Sequence, residues 1–273
     1  MTLNINTNVN AAFAQGALTV NSRLQSSTMQ QLSTGKQINS AKDNAAGLAM
    51  SETMTAQIRG LNMAVRNAND GISYLQTAEG AMIEQTNMLQ RMRELAVQAS
   101  SDTVDNTSKG YLNAEFTSLR AEIDRIGANT QWNGSSILGG ASYSFQVGAN
   151  STDAKITVRV DSMASGGSLS GIASSAVSTA STASSAIASI TTALTTIASQ
   201  RSKIGAAMNQ LTYAADNLTN VAQNATDSRS RILDTDYATA TTQLSKTQII
   251  SQAATAMLAQ ANQQQQSVLA LLK

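Results

Sequence analysis

Hydrophobic residues recur every seven positions in the C-terminal half of the chain. The repeat consists of Ile190, Ile197, Ile204, Leu211, Leu218, Ala225 and Ile232, and small or apolar residues follow most of these at +3. A strict seven-residue spacing is typical of a helix that winds left-handedly around a partner. The pattern therefore predicts a helical rod over about 186–231, roughly 70 Å long at ~1.5 Å per residue.

A second rod is predicted in the N-terminal half, where apolar residues follow each other at steps of four and three. Its predicted seam contains Leu61, Val65, Ile72 and Leu89. A third helix is expected from about 107 to 127, because apolar residues again share one face there. Together these segments predict a mainly α fold, in which long antiparallel helical rods form coiled coils.

Residues 131–160 follow a different pattern. Trp132-Asn-Gly134 and Gly139-Gly140 are turn signals, and apolar and polar residues alternate over 143–147 and 156–160. These features predict a small β-hairpin on the outer part of the rod. Residues 161–186 are mostly Ser, Ala, Gly and Thr, which predicts a tip or linker.

The two ends of the chain carry apolar seams but almost no charge. The residues predicted to form these assembly seams are Leu3, Ile5, Val9, Phe13, Val20, Leu24, Ile250, Met257, Val268 and Leu271. Arg23 is the one charge in 1–35, and Lys246 and Lys273 are the charges in 237–273. Seams this sparse bury too little apolar surface to stabilise a helix alone, so we expect neighbouring molecules to stabilise them.

Helix starts are predicted from two short polar motifs. Ser40-Ala-Lys-Asp43 has the spacing of a capping box and is expected to begin a helix after Gly35. Asp234 is expected to cap the last helix.

The absent residue types exclude most enzyme chemistry. The chain contains no Cys, His or Pro, so the usual zinc ligands and every histidine-assisted nucleophile are missing. The acidic residues show no paired cluster of the kind used in glycoside hydrolysis. We therefore expect a protein that is not an enzyme and that needs no cofactor or metal.

Charge and hydropathy argue against two classes of partner. The net charge of +1 gives no basis for nucleic-acid binding, and no apolar run reaches the ~18 residues of a membrane span. Residues 1–8 lack the basic and apolar regions of a cleaved secretory leader, so export is expected to follow another route.

Several segments together resemble the bacterial flagellins, and the resemblance covers nearly everything outside 161–190. They are Leu3–Asn8, Leu32–Gly47, Gln57–Leu61, Arg66–Ile72, Leu89–Gln98, Glu122–Arg125, Arg231–Ala238, Met257–Gln263 and Val268–Lys273. The chain departs from the family at Gln263–Gln266, where relatives often carry Val-Pro-Gln.

The resemblance implies a subunit that self-assembles without covalent bonds into the flagellar filament for swimming. Its terminal helices, in 1–44 and 233–273, would form the inner filament core, and 45–160 with 187–232 would form the rod domain. The implied location is extracellular, after export in unfolded form. The implied partners are further copies, the export apparatus, a flagellin chaperone, and the filament cap and hook-junction proteins.

The resemblance also implies a recognition surface for the vertebrate flagellin-sensing Toll-like receptor. The matching positions are Gln90, Arg91, Leu95 and Glu115. Ordinary solvated or inter-helix charges would account for Arg91 and Glu115 equally well from the bacterium's side, and a host receptor would then exploit them.

Three other functions are compared with the filament subunit at the level of sequence. A hook–filament junction protein shares the terminal pattern, although similarity across 32–130 and 231–273 favours the filament subunit. A secreted effector or pore-forming translocator would need a long apolar segment, which is missing. A secondary adhesin role is compatible with the sequence, but no sugar-binding group of residues can be named.

Overall fold

The computed structural model describes residues 7–150 and 155–271, and the described chain is mainly α-helical. The α-helices are α1 (Val9–Thr34), α2 (Ala45–Ala99), α3 (Asn106–Asn129), α4 (Ala180–Leu233) and α5 (Tyr237–Leu271). The prediction of a mainly α fold with a small β-hairpin is confirmed. The chain divides into one compact unit of 1–56 with 224–273 and a second unit of 57–223.

In the second unit, α2 and α4 pack as an antiparallel pair. An ion pair joins Arg201 to Glu79 at 3.3 Å, while Leu61 shares a small buried cluster with Leu218. Residues near the start of α2 therefore contact residues near the end of α4, so the two helices run in opposite directions. Buried positions along the pair follow the hydrophobic spacing, and Leu89, Ile190, Ile197, Ile204 and Leu211 are almost completely buried. Leu61 and Leu218 are also buried, whereas Val65, Ile72 and Ile232 are half-buried.

The second seam position of α4 shifts by one residue partway along the helix. Ala193, Gln200 and Ala207 are buried at +3 from the main repeat, but beyond Leu211 the buried residues are Ala215 and Ala222. An α-helix has 3.6 residues per turn and drifts by about 20° per heptad relative to a seven-residue repeat. The drift brings the next residue into the seam. The supercoil of α4 around its neighbours is therefore less tight than a strict seven-residue repeat predicts.

Two small antiparallel sheets follow α3. The first pairs β1 (Gln131–Trp132) with β2 (Ser135–Ser136), and the second pairs β3 (Ser142–Gln146) with β4 (Lys155–Arg159). In the second sheet Ser142 lies opposite Arg159 and Gln146 opposite Lys155. Its aromatic residues pack on α2, where the ring centres of Tyr74 and Tyr143 are 4.5 Å apart.

Residues 161–186 pack closely on the rod unit, because their few large apolar side chains are buried. Met163, Leu169, Ile172 and Val177 all join the main core of the second unit. Gly127 on α3 allows this approach, since an added Cβ would lie 2.7 Å from the Met163 carbonyl oxygen. A composition rich in small residues thus permits close packing here.

Three polar side chains on α3 hold the same segment in place. Asp124 accepts hydrogen bonds from the Ser165 amide at 2.6 Å and the Ser165 hydroxyl at 2.7 Å. Arg120 donates to the Ala173 carbonyl at 2.8 Å, and Asn113 accepts from the Val177 amide at 2.9 Å. Because positions 113, 120 and 124 share one helix face, α3 binds the segment along much of its length.

The two predicted helix caps, Ser40 and Asp234, lie four and two residues before the true ones. The Asp43 carboxylate accepts from the Asn39 and Ser40 amides within a turn, and the Asn44 side chain caps α2 by accepting from the Gly47 amide at 2.9 Å. Asp236 caps α5, while the Asp234 carboxylate accepts from the Ser230 hydroxyl. Several adjacent Asx side chains can cap each of these helices, and spacing does not choose between them.

Candidate assembly and recognition surfaces

The terminal helices α1 and α5 pack against each other in antiparallel fashion. The Asn21 side-chain amide donates to the Thr247 carbonyl at 2.7 Å, and the Asn8 amide donates to the Ala261 carbonyl at 3.2 Å. Since a step of thirteen residues along α1 corresponds to fourteen along α5, the two helices stay in register over at least three turns.

The seam between α1 and α5 is made mainly of small and polar residues, with three leucines among its half-buried members. Its most buried members are Asn21 and Thr28 on α1 and Ala240 and Thr247 on α5. Half-buried members continue it at steps of three and four, namely Ala11, Ala14, Leu18, Gln25, Leu244, Ser251, Ala254, Leu258 and Ala261. This seam gains little from apolar burial, so the pair is weakly held within one chain.

Most of the large apolar side chains of the same helices face outward. Phe13 is 82% exposed and Met257 is 66% exposed, and Val9, Val20, Leu24 and Ile250 are exposed as well. A groove of about 550 Å³ runs along α1 between Phe13 and Leu24, with Ile250 on its other wall. We call this surface the apolar face. Each large side chain on it would contribute roughly 1.5–3 kcal/mol if another molecule covered it.

Four predicted assembly residues fall outside this description. Leu3 and Ile5 lie outside the described residues, and Val268 and Leu271 lie in the part of α5 whose side chains are not described. The remaining six, Val9, Phe13, Val20, Leu24, Ile250 and Met257, all carry exposed side chains.

The connections at the end of the helix pair are ordered by specific caps. Gly35 ends α1 in the left-handed conformation, with φ of 68°, and its amide donates to the Gln31 carbonyl. Asp236 begins α5 by accepting from Thr239 and from the Ala238 amide, and these hydrogen bonds lower the pKa of its carboxyl. This capping contribution is present when Asp236 is ionised and is lost as the pH falls through its lowered pKa.

A second surface, on the rod unit, is built around Arg91. The Arg91 guanidinium on α2 contacts the Glu115 carboxylate on α3 at 2.9 Å and Glu94, one turn along α2, at 3.1 Å. These hydrogen bonds raise the pKa of Arg91, with Glu115 as the larger cause. The three side chains are about half exposed or more, so the cluster crosslinks two helices and is accessible from outside.

The other two predicted recognition residues have different surroundings. Gln90 is exposed and lines a cleft of about 530 Å³ together with Arg93, Glu94, Val97, Gln98 and Leu194. Leu95 is only 1% exposed and belongs to the main core. Leu95 therefore packs inside the rod in this conformation and presents no surface to a partner.

Sequence reasoning missed two parts of this surface. Glu94 shares Arg91 with Glu115, which its spacing of three residues from Arg91 could have indicated. The cleft between Val97 and Leu194 joins residues that are distant in the chain, so only the pairing of α2 with α4 reveals it.

Within 7–150 and 155–271, no cluster of three or more Asp, Glu, Cys or His side chains could hold a metal ion. The same described ranges include no helix with the length and apolar character required to cross a bilayer.

These features define a structural helical-rod protein whose terminal helix pair leaves an apolar face uncovered. The chain belongs to the bacterial flagellin family. Residues 5–142 match the flagellin N-terminal helical region and residues 187–272 match the C-terminal helical region. The family supplies the subunit of the extracellular flagellar filament and is structural, not enzymatic.

Individual relatives match over almost their whole length. The chain is 42% identical to a flagellin of Halalkalibacterium halodurans over 271 residues, covering 98% of this chain and 99% of the relative. It is 39% identical to a flagellin of Bacillus subtilis over 305 aligned positions, covering 99% and 100%. The crystal structure of Bacillus cereus flagellin is 28% identical, with a TM-score of 0.49, and covers 56% of this chain and 88% of that one.

Proposed function

We propose that this chain self-assembles, without covalent bonds, into the flagellar filament that drives swimming. The observation that carries the proposal is the distribution of side chains on the terminal helices. Mainly small and polar residues lie inside their seam, and most of the large apolar residues lie outside it. Burying an exposed apolar face against other molecules lowers the free energy. In a family of filament subunits, the molecules that bury it are further copies of the same chain.

Because the filament lies outside the cell, its growth also requires export of the chain. The family's filament is extracellular, and we propose that the chain crosses the flagellar export apparatus unfolded, after binding a flagellin chaperone. The sequence supports this route because it has no disulfides to form and no prolyl bonds to isomerise slowly on refolding. The filament cap and the hook-junction proteins are the proposed partners at the two ends of the polymer.

Growth of the purified chain tests this proposal. Short filament fragments added to monomer should elongate into filaments several micrometres long, with no other protein present. A hook–filament junction protein has the same terminal pattern but would add only a short layer to such seeds. Growth that stops after one layer would therefore support the junction alternative, and no addition at all would contradict both.

We also propose that the Arg91 surface is bound by the flagellin-sensing Toll-like receptor. Arg91 and Glu115 are accessible and held in a fixed geometry, and the adjacent cleft exposes Val97 beside Gln90. A rigid guanidinium with an apolar neighbour is a common centre of protein–protein binding. Leu95 would act by supporting α2 from within the core.

Replacing Arg91 by Ala should weaken binding of the monomer to the receptor ectodomain at least about tenfold, or ~1.4 kcal/mol. A guanidinium makes charge-assisted hydrogen bonds that no small side chain replaces. The rod should remain folded, since exposed ion pairs contribute about 0–1 kcal/mol. Surface plasmon resonance would measure the affinity and circular dichroism the folding.

Arg125→Ala is the matched control, because Arg125 is also an exposed arginine paired with a glutamate, in this case Glu122 on α3. Its affinity for the receptor should stay that of the unmodified chain. A folded Arg91→Ala variant with unchanged affinity would reject the recognition surface.

A further inference from the structure

A single lysine interrupts the apolar face of the terminal helix pair. Lys246 precedes Ile250 by four residues and Met257 by eleven, so the three side chains lie along one side of α5. Lys246 is exposed, and within the described part of the chain no ion pair includes it. Any molecule that covers Ile250 and Met257 will also approach this ammonium group.

Neither terminal helix can supply a counter-charge. Residues 9–34 and 237–271 contain no Asp or Glu, and their charges are Arg23 and Lys246, both positive. Removing a cation from water without a partner is costly, and a carboxylate offsets that cost. If a second copy covered the face with its own α1 and α5 alone, it would bring only further positive charge.

The required carboxylate therefore comes from outside the helix pair of the second copy. The apolar groove is best covered by another apolar face, so the acid should belong to the same compact unit as that face. The acids of this unit are Asp43, Glu52, Asp227, Asp234 and Asp236.

Glu52 is the acid of this unit whose side chain makes no hydrogen bond or ion pair with the described residues. Asp43, Asp234 and Asp236 accept hydrogen bonds within their own chain, and Asp227 has a contact as well. Glu52 is exposed on α2, and the described residues offer it no ion pair.

We propose that Lys246 forms an ion pair with Glu52 of a second copy of this chain. This inference rests on the proposed assembly, and it names a contact that would set the position of one copy along its neighbour. Glu52 lies one turn before Thr55, which accepts a hydrogen bond from Arg229, so Glu52 lies beside the end of α4, whereas Lys246 lies in the first third of α5. Two copies joined in this way are shifted along their helices. A shifted contact uses different surfaces on the two molecules, which is the kind that builds open polymers.

A charge exchange tests the pair in full-length chain. Lys246→Glu and Glu52→Lys should each raise the critical monomer concentration for seeded growth at least about tenfold, because each places like charges together. The double variant should return it to within about threefold of the unmodified chain, because the pair is restored in reversed order. Light scattering measures growth, and circular dichroism checks that each monomer is folded.

Arg231→Glu is the control, since Arg231 is an exposed cation of the same unit outside both terminal helices. Its growth should match that of the unmodified chain. The inference is overturned if Lys246→Glu grows normally, if the double variant remains as defective as the single ones, or if Arg231→Glu shares the defect. Failure of the unmodified chain to grow would instead contradict the proposed function itself.

Discussion

Phe13→Asp should severely impair filament growth and leave the monomer as stable as before. Phe13 is 82% exposed in the single chain, so a polar replacement removes almost no contact within it. In the filament the same position would be covered, and an unpaired carboxylate there costs several kcal/mol. We expect the critical concentration for seeded growth to rise more than about a hundredfold, or ~2.7 kcal/mol.

Gln15→Asp provides the matched control for this variant. Gln15 is also exposed on α1, but two residues turn a helix by about 200°, so it lies on the opposite side from Phe13. The same added charge should leave growth within about threefold of normal. Equal loss of growth in both variants would show that charge anywhere on α1 blocks assembly, and the apolar face would lose its special role.

Leu211→Asp should instead lower the stability of the monomer, because it acts on folding. Leu211 has no exposed surface and lies in the core where α4 meets the rest of the rod unit. A buried, unpaired carboxylate lowers the free energy of unfolding by several kcal/mol. Thermal melting of the monomer followed by circular dichroism should shift down by well over ten degrees, on the order of 3 °C per kcal/mol.

The neighbouring position supplies the control here too. Gln210 is exposed on the same turn of α4, so Gln210→Asp should melt within about 2 °C of the unmodified chain. If Leu211→Asp and Gln210→Asp melt together, Leu211 does not hold the seam that its burial indicates.

The sequence predicted the fold well where one period governs a long helix. The seven-residue repeat from Ile190 to Leu218 corresponds to buried residues throughout. The drift that replaces Ala214 and Val221 by Ala215 and Ala222 could not be predicted, because it depends on how far α4 supercoils around its neighbours.

The terminal helices show a different limit of sequence reasoning. Apolar spacing identified Phe13, Val20 and Leu24 as one stripe, but a stripe does not reveal what it contacts. The weaker stripe of Ala14, Asn21 and Thr28 has the same spacing and forms the seam with α5. Choosing between them needs the hydrogen bond from Asn21 to Thr247, which joins residues 226 positions apart.

Composition gave little indication of how residues 161–186 pack. Four apolar residues among many small ones looked too sparse for a core, yet Met163, Leu169, Ile172 and Val177 are all fully buried. Their burial depends on α3, which offers Asn113, Arg120 and Asp124 as hydrogen-bonding partners. None of these pairings has a local signature, since each spans at least 41 positions of the chain.

The most direct test of the central claim is a cryo-EM structure of filaments grown from the purified chain. The claim is that the apolar face of α1 and α5 is the surface through which copies join. In the filament, Phe13, Val20, Ile250 and Met257 should be buried against neighbouring copies, whereas each is exposed in the single chain. A filament in which these four side chains still face water, with copies joined only through the rod unit, would contradict the account.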